Sequence, residues 1–316
     1  MLLFLLKRLA ALVPVLLGVS FLVFLMVELA PGDVTTLLLG PLASEEAKAT
    51  LRKTLGLDQP ILIQYAKWLE HVLGGDFGVS IATSRRVVDL LAPRLLATVI
   101  LGGASLALTI VFGVAVGVIT AARAGGLVDR VTQSVVLVIG NLPPYWLGLV
   151  LVFAFSLQFR WFPTSGMRSV SGNGGVTDVL NHLVLPAVTT AAAPAAVVAA
   201  MVRAAIIEVM GLDYIRVARA KGVPRRTIIL KHAMRNALPT IVTIIGLQMG
   251  YLFGGALFSE VVFAWPGLGQ LLYTSIVGRD LPVIQASVLA IALVFVLVNL
   301  AIDMLNRALD PRGQHA

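Results

Sequence analysis

Six long stretches of this chain contain no aspartate, glutamate, lysine or arginine, and they limit its possible folds more than any other feature. They cover residues 9–27, 96–122, 131–159, 183–202, 237–259 and 281–302, and the shortest has 19 residues. An α-helix rises about 1.5 Å per residue and needs roughly 20 apolar residues to cross a ~30 Å hydrocarbon core. A helix also satisfies its own backbone amides in lipid. The pattern therefore predicts an all-α, polytopic membrane protein with six transmembrane helices.

The composition excludes a soluble domain. Of the 316 residues, 58% are hydrophobic and only 13% are charged, against about 25% charged in a typical soluble domain. The sequence has no cysteine, so it offers no disulfide, no thiolate nucleophile and no cysteine-ligated metal site.

The formal charge of +8 reflects how basic residues are distributed among the loops. Segments 1–8, 123–130, 203–236 and 303–316 hold 14 of the 24 Lys and Arg residues but only five of the 16 acids. The short loops 160–182 and 260–280 together hold three Lys or Arg residues. The positive-inside rule therefore predicts a multi-pass protein of the cytoplasmic (inner) membrane with both termini in the cytoplasm, and it favours topology over nucleic-acid binding as the reason for the charge.

This topology predicts three regions. They are an N-terminal segment with the first transmembrane helix (1–30), an extracytoplasmic loop with short helices (31–95), and a five-helix core (96–316) whose cytoplasmic loop spans 203–236.

The extracytoplasmic loop carries two helix signals. Ser44 predicts the N-cap of one helix, and Pro60 marks the start of another that ends before Gly74. The second helix is amphipathic, which indicates that it lies on the membrane surface or against a partner. Its apolar face comprises Leu62, Tyr65, Leu69 and Val72.

Two of the apolar runs contain polar groups that are candidates for a translocation path. Asn141 stands just before Pro143 and Pro144, which predict a kink in the third run with either a packing or a pathway role. In the fifth run Gln248 lies off a stripe of glycines at residues 246, 250 and 254, which predicts close approach of a neighbouring helix. Asn141 and Gln248 are therefore the possible path residues.

The chain shows no energy source of its own. No ionisable residue stands in the middle of any run, which argues against ion-driven transport. No Gly-x-x-x-x-Gly-Lys-Ser/Thr phosphate loop occurs either, so we expect no ATP hydrolysis by this chain.

The basic loop at 203–236 predicts a short helix, a tight turn and a second helix. Asp213 predicts the N-cap, Lys221 the last turn, Gly222 a left-handed ending and Pro224 the first turn of the next helix. The small Ala218 would permit close docking. Pattern alone leaves two readings open, a loop that contacts anionic lipid and a docking element for a soluble cytoplasmic partner.

The loop also resembles a known motif. Its residues Asp213-Tyr214-Ile215-Arg216-Val217-Ala218-Arg219-Ala220-Lys221-Gly222, followed by Lys231 to Pro239, are similar to the coupling loop of ABC-transporter permeases, in particular the first permease of the peptide/nickel importer class. The resemblance continues along the chain in an ordered series of short motifs. They are Pro31-Gly32-Asp33, Leu55-Gly56-Leu57-Asp58-Gln59-Pro60, Gly75 to Ser80, Gly254 to Phe263, Trp265-Pro266-Gly267-Leu268-Gly269, Arg279-Asp280 and Asp310-Pro311-Arg312.

The resemblance implies the type I ABC importer permease fold and a subunit without catalysis. It implies three kinds of partner besides membrane lipid: a homologous second permease, two cytoplasmic ATPase subunits and an extracytoplasmic substrate-binding protein. This chain would bind no cofactor, and ATP and Mg²⁺ would sit on the ATPase subunits. One departure is that Arg216-Val217-Ala218 stands where the common motif has Glu-Ala-Ala, so a contact specific to that Glu cannot be transferred.

The residues that the resemblance assigns to coupling with the ATPase are Asp213, Tyr214, Arg216, Ala218, Arg219, Lys221 and Gly222.

Two alternatives concern what is transported and how. Within the same class the substrate is a di- or oligopeptide, or else nickel, which favours imidazole ligands. Peptide is favoured because the chain has only four His residues, and the two on the predicted outer side, His71 and His182, are far apart in sequence. In a different class the chain would be a secondary carrier that transports alone, driven by an ion gradient.

Overall fold

The computed structural model describes residues 2–29, 34–40, 42–54, 56, 58–169 and 174–309. Within them the chain forms thirteen α-helices, two π-helical segments and one isolated β-bridge, and no strand. Pro31-Gly32-Asp33, Asp310-Pro311-Arg312, Leu55 and Leu57, which carry part of the resemblance, lie outside the described residues.

The elements follow one another along the chain, with the longest connections before α5 and before α8. They are α1 (Leu2–Glu28), α2 (Val34–Leu39), α3 (Glu45–Thr54), α4 (Ile61–Leu73), α5 (Val87–Ala122), α6 (Leu127–Asn141), α7 (Pro144–Leu151), π1 (Val152–Gln158), α8 (Val176–Met210), α9 (Asp213–Ala220), α10 (Arg225–Thr227), π2 (Ile228–Ala233), α11 (Met234–Val262), α12 (Leu268–Val277) and α13 (Leu281–Leu309).

Five helices are long and apolar enough to cross a membrane: α1, α5, α8, α11 and α13. The third apolar run forms α6 and the α7–π1 segment instead, and these two arms meet at a bend of 105°. Counting this bent pair as one broken span gives the six predicted crossings.

The bend confirms the kink predicted from the prolines and is sharper than a simple kink. A residue before proline is pushed out of the helical region, and here two such residues follow each other. Leu142 has ψ 132° and Pro143 has ψ 129°, both extended. The helix therefore stops at Asn141 and restarts at Pro144.

The chain divides into two compact units. One combines residues 1–95 with 271–294, and the other combines 96–270 with 295–316. The three regions predicted from the sequence were drawn by topology rather than by packing, and they stay a prediction.

In the second unit, α8 is the most buried span and packs against α6, α7 and α11. Its Val198, Val202 and Ile206 are fully buried. Helix α5 reaches it through Gly113 and Gly117, where an added Cβ would come within 2.8 and 2.7 Å of Val198 and Val202. These two glycines therefore allow the closest approach between α5 and α8.

The predicted glycine stripe on α11 is only partly used for packing. At Gly250 an added Cβ would meet the ring of Phe295 at 3.0 Å, whereas at Gly254 it would meet nothing within 4 Å. Close helix contact at Gly254 is not made within the described part of this chain and stays a prediction, whereas Gly250 of α11 and Gly113 and Gly117 of α5 each make one.

In the first unit, α4 packs on α1. The Tyr65 hydroxyl lies 2.7 Å from Ser20 Oγ, and the Tyr65 ring meets Phe21 edge-on with centroids 5.2 Å apart. The partner of the amphipathic helix is thus α1 of the same chain. Leu62, placed on the packed face by the sequence, is 69% exposed, while Trp68 contacts Phe24 in its place.

Candidate coupling site

Helix α9 is a short, largely exposed helix with one buried residue. Ile215 is fully buried, and it is the buried residue of the helix. Ala218 is half-buried, so the small side chain permits close packing beneath the helix. We call six exposed residues of α9 and its ending the coupling surface; they are Asp213, Tyr214, Arg216, Val217, Arg219 and Lys221.

The coupling surface combines basic and apolar groups. Tyr214 is 41% and Val217 54% exposed, and Arg216, Arg219 and Lys221 add three cations on two turns. Such a surface fits a partner with an apolar groove and an acidic rim, because cations and apolar groups then find complementary neighbours at the same time.

Gly222 ends α9 as the sequence predicts. Its φ is +76°, in the left-handed region that glycine adopts without strain. The N–H of Gly222 donates to the Arg219 carbonyl at 2.9 Å, and the N–H of Val223 donates to the Ala218 carbonyl at 3.2 Å. These two bonds form a Schellman ending, which satisfies carbonyls that the helix itself leaves open.

The start of α9 differs from the prediction by one residue. Leu212, with φ −72° and ψ 152°, is the extended residue before the helix, and Asp213 is the first helical residue. The Asp213 carboxylate caps no backbone amide there and pairs instead with Arg216 at 3.1 Å. Both side chains are largely exposed, and exposed pairs contribute little to stability, so Asp213 belongs to the surface rather than to the fold.

Helix α9 is hydrogen-bonded to the start of α11 and to the end of α8. The Asn236 side-chain amide of α11 donates to the Tyr214 hydroxyl, and Arg219 reaches the Met210 carbonyl at 3.3 Å. Pro224 precedes the next helix as its N-cap instead of lying in its first turn. From there α10, π2 and α11 follow without interruption, so a displacement of α9 would be passed directly to the fifth apolar helix.

An ion pair that the sequence does not indicate joins α8 to α6. Arg203, near the end of α8, donates from Nε and Nη2 to the two oxygens of Asp129, each at 2.7 Å, in a bidentate pair. Asp129 is 3% exposed and also accepts the N–H of Gly125 at 2.8 Å. The pair fastens the turn between α5 and α6 to the helix that leads into α9.

The two candidate path residues are not joined. Asn141 is exposed at the bend and donates to the Leu137 carbonyl of its own helix at 2.7 Å. Gln248 is half-buried on α11. No hydrogen bond between these side chains is found in the described part of the chain, and their assignment to a path stays a prediction.

The histidines named for the nickel alternative each contact their own helix. His71 Nδ1 lies 2.7 Å from the Lys67 carbonyl, and His182 Nδ1 lies 2.8 Å from the Asp178 carbonyl. Within the described ranges no group of three His, Cys, Asp or Glu side chains is placed to hold a metal ion.

Comparison with known protein families gives two adjoining matches. Residues 113–314 match the binding-protein-dependent transport system inner membrane component, and residues 1–102 match the N-terminal membrane component of the same systems. Among curated proteins, the chain is 42% identical over 311 residues to the glutathione transport system permease protein GsiC of Salmonella choleraesuis and 41% identical to that of Escherichia coli K12. Each alignment covers 98% of both chains.

Comparison with solved structures supports the fold. A chain of the methionine ABC transporter MetNI, in inward-facing conformations, aligns with a TM-score of 0.57 at 22% identity. The alignment covers 70% of this chain and 96% of that one. The predicted class, an all-α polytopic protein with the type I ABC importer permease fold, is confirmed.

Proposed function

Because this chain belongs to the inner-membrane permeases of binding-protein-dependent ABC importers, in the peptide/nickel class, we propose that it forms half of a translocation path for di- or oligopeptides. The observation that carries the proposal is the identity of about 42% over 98% of both chains to permeases named for glutathione transport. Glutathione is a tripeptide, so its chemistry lies within the proposed substrate class.

The proposal includes partners that supply what this chain lacks. A homologous second permease completes the path, two cytoplasmic ATPase subunits bind ATP and Mg²⁺, and an extracytoplasmic binding protein delivers the peptide. Two sequence features support an external motor: the absence of a phosphate loop and the absence of ionisable residues in the middle of the apolar runs.

The orientation follows from the charges. We place both termini and the coupling surface in the cytoplasm, because the segments on that side carry 14 of the 24 basic residues. In this orientation the loop between α1 and α5 and the short helix α12 lie on the extracytoplasmic side.

The mechanism proposed for the coupling surface is mechanical. The ATPase binds the exposed side of α9. Because Ile215 is buried and Tyr214 is hydrogen-bonded to Asn236, α9 moves together with the start of α11. ATP-driven closure of the ATPases then shifts α9, and the shift passes through π2 into α11. The helices of this chain line one half of the path and are displaced, while ATP is hydrolysed on another polypeptide.

Substrate uptake by cells tests the substrate class. Cells that lack this gene are expected to lose uptake of a radiolabelled dipeptide or of labelled glutathione and to regain it when the gene is restored. Uptake of nickel-63 is measured in the same strains. Loss and recovery of nickel uptake with unchanged peptide uptake would overturn the peptide assignment in favour of nickel.

A further inference from the structure

A cleft with charged walls lies within the first compact unit. Its volume is about 740 Å³, and it is lined by the end of α1, the end of α3, one side of α4 and the start of α13. This volume is in the range of small-molecule sites, which is about 300–1,000 Å³. We call it the charged cleft and define it by five of its lining residues, which are Glu28, Lys53, Gln59, Lys67 and Trp68.

The charges of the cleft are not neutralised within the described part of the chain. Glu28 is the last residue of α1, Lys53 lies in the last turn of α3, and Lys67 lies on α4. None of these three side chains forms an ion pair or a hydrogen bond with another described residue. By contrast, Lys48 of α3 pairs with Glu45 at 2.8 Å. Two cations and one carboxylate thus line one cavity without pairing, so a ligand that carries both signs would find a partner for each.

An uncharged acceptor and an aromatic ring complete the cleft. Gln59 Oε1 is shielded from solvent and accepts no hydrogen bond from the described residues. A shielded acceptor without a donor is unfavourable, and an N–H group of a ligand would satisfy it. Trp68 is half-buried, and its ring lies 5.6 Å from that of Phe24 and 6.1 Å from that of Tyr65, centroid to centroid. These contacts hold the indole in place as an apolar surface of the cleft.

This combination of groups fits a small peptide better than a lipid or a protein surface. A peptide brings carboxylates for the two lysines, an ammonium group for Glu28 and amide N–H groups for Gln59. A lipid acyl chain requires an apolar lining, and a zwitterionic lipid headgroup offers a single anionic group to both lysines. The cores of protein–protein interfaces are depleted of Lys and Glu, whereas three such residues line this cleft.

We propose that the charged cleft binds the peptide before it enters the path. Lys53 and Lys67 bind its carboxylates, Glu28 binds its ammonium group, and Trp68 packs against its apolar parts. This site rests on the proposed import function and deepens it, because it names the groups of the substrate that this chain recognises. In the proposed orientation the cleft lies on the extracytoplasmic side, where peptide arrives.

The test measures the affinity of labelled glutathione, which has two carboxylates and one ammonium group, for this chain in complex with its second permease and both ATPases. The complex is held in phosphatidylcholine nanodiscs, and the binding protein is left out because it would bind the probe itself. Lys53→Gln, Lys67→Gln and Glu28→Gln each remove one charge from the cleft. Lys48→Gln on α3 and Glu70→Gln on α4 are the matched controls, because both residues lie on the same helices but outside the cleft.

Each cleft variant is expected to weaken glutathione binding about fivefold, as for one lost ion pair that is partly exposed, and both controls to leave it unchanged. Modified ligands separate recognition from structure. Glutathione with both carboxylates amidated is expected to bind equally to the unmodified complex and to the two lysine variants. N-acetylated glutathione is expected to bind equally to the unmodified complex and to Glu28→Gln. A purely structural role of these residues would weaken the binding of every ligand alike.

Equal affinities of glutathione for the cleft variants and the controls, or no binding by the unmodified complex, would overturn the proposal. Two other results would also overturn it by assigning the cleft to another occupant. Loss of bound phosphatidylethanolamine from the lysine variants, with unchanged glutathione binding, would assign it to a lipid headgroup. Loss of the second permease from the purified lysine variants would assign it to a subunit contact. Failure of the complete assembly, with its binding protein and ATP, to import any peptide would instead contradict the proposed function.

Discussion

Replacement of Gly222 by valine is expected to lower peptide import at least about tenfold while the chain still inserts into the membrane. The φ of Gly222 is +76°, and a β-branched residue in this region is a rare outlier whose backbone strain is about 1–2 kcal/mol. No atom lies within 4 Å of the position that a Cβ would take. The cost therefore comes from the backbone alone, and it is relieved by unwinding the end of α9 and displacing the coupling surface.

The measurement for Gly222→Val is uptake of labelled peptide in cells, together with the amount of chain in the membrane and its co-purification with the ATPase. We expect uptake to fall by about tenfold or more, since about 1.4 kcal/mol corresponds to a factor of ten. Gly222→Asn is the matched control, because asparagine tolerates the left-handed region. It is expected to keep most of the uptake. If valine and asparagine behave alike, the geometry of the α9 ending has no part in coupling.

Removal of the Arg203 side-chain charge is expected to have the second large effect. Arg203→Gln loses both 2.7 Å bonds to Asp129, a buried carboxylate. Among the described residues the Gly125 amide then remains as its hydrogen-bond donor. The turn between α5 and α6 is then no longer fastened to α8. We expect peptide uptake per ATP hydrolysed to fall about tenfold, as for a lost charge-assisted, bidentate contact.

Two further variants separate the ion pair from general charge effects. Arg130→Gln makes the same chemical change at an exposed neighbour of Asp129. It is expected to leave peptide uptake per ATP hydrolysed unchanged. Arg203→Lys keeps the charge but not the bidentate geometry. Its peptide uptake per ATP hydrolysed is expected to lie between the values for Arg203→Gln and Arg130→Gln. If Arg203→Gln gives the same ratio as Arg130→Gln, the pair does not serve coupling.

The features that the sequence predicts well are those set by local chemistry. Charge-free runs of the required length identify the spans because lipid admits few alternatives. The paired prolines break the third run because each restricts the residue before it. Gly222 ends α9 because glycine adopts its conformation without strain.

Other features depend on which parts of the chain meet in space. Asp129 and Arg203 are 74 residues apart, and Thr98 and Glu260, whose side chains are hydrogen-bonded at 2.7 Å, are 162 apart. Nothing in their local sequence indicates these pairs. Glu260 stands one residue beyond the fifth charge-free run, so it is counted from the sequence as a loop charge. The face of α4 was misjudged at Leu62 for the same reason, because helical spacing does not reveal that α1 is the neighbour.

We propose that this chain forms half of a translocation path and is moved by the ATPase subunits. The most direct measurement is uptake of labelled peptide by proteoliposomes that contain either this chain alone or this chain with its second permease, both ATPases and the binding protein. We expect uptake only in the complete assembly and only with ATP and Mg²⁺. Uptake by this chain alone, driven by a proton or sodium gradient, would contradict it.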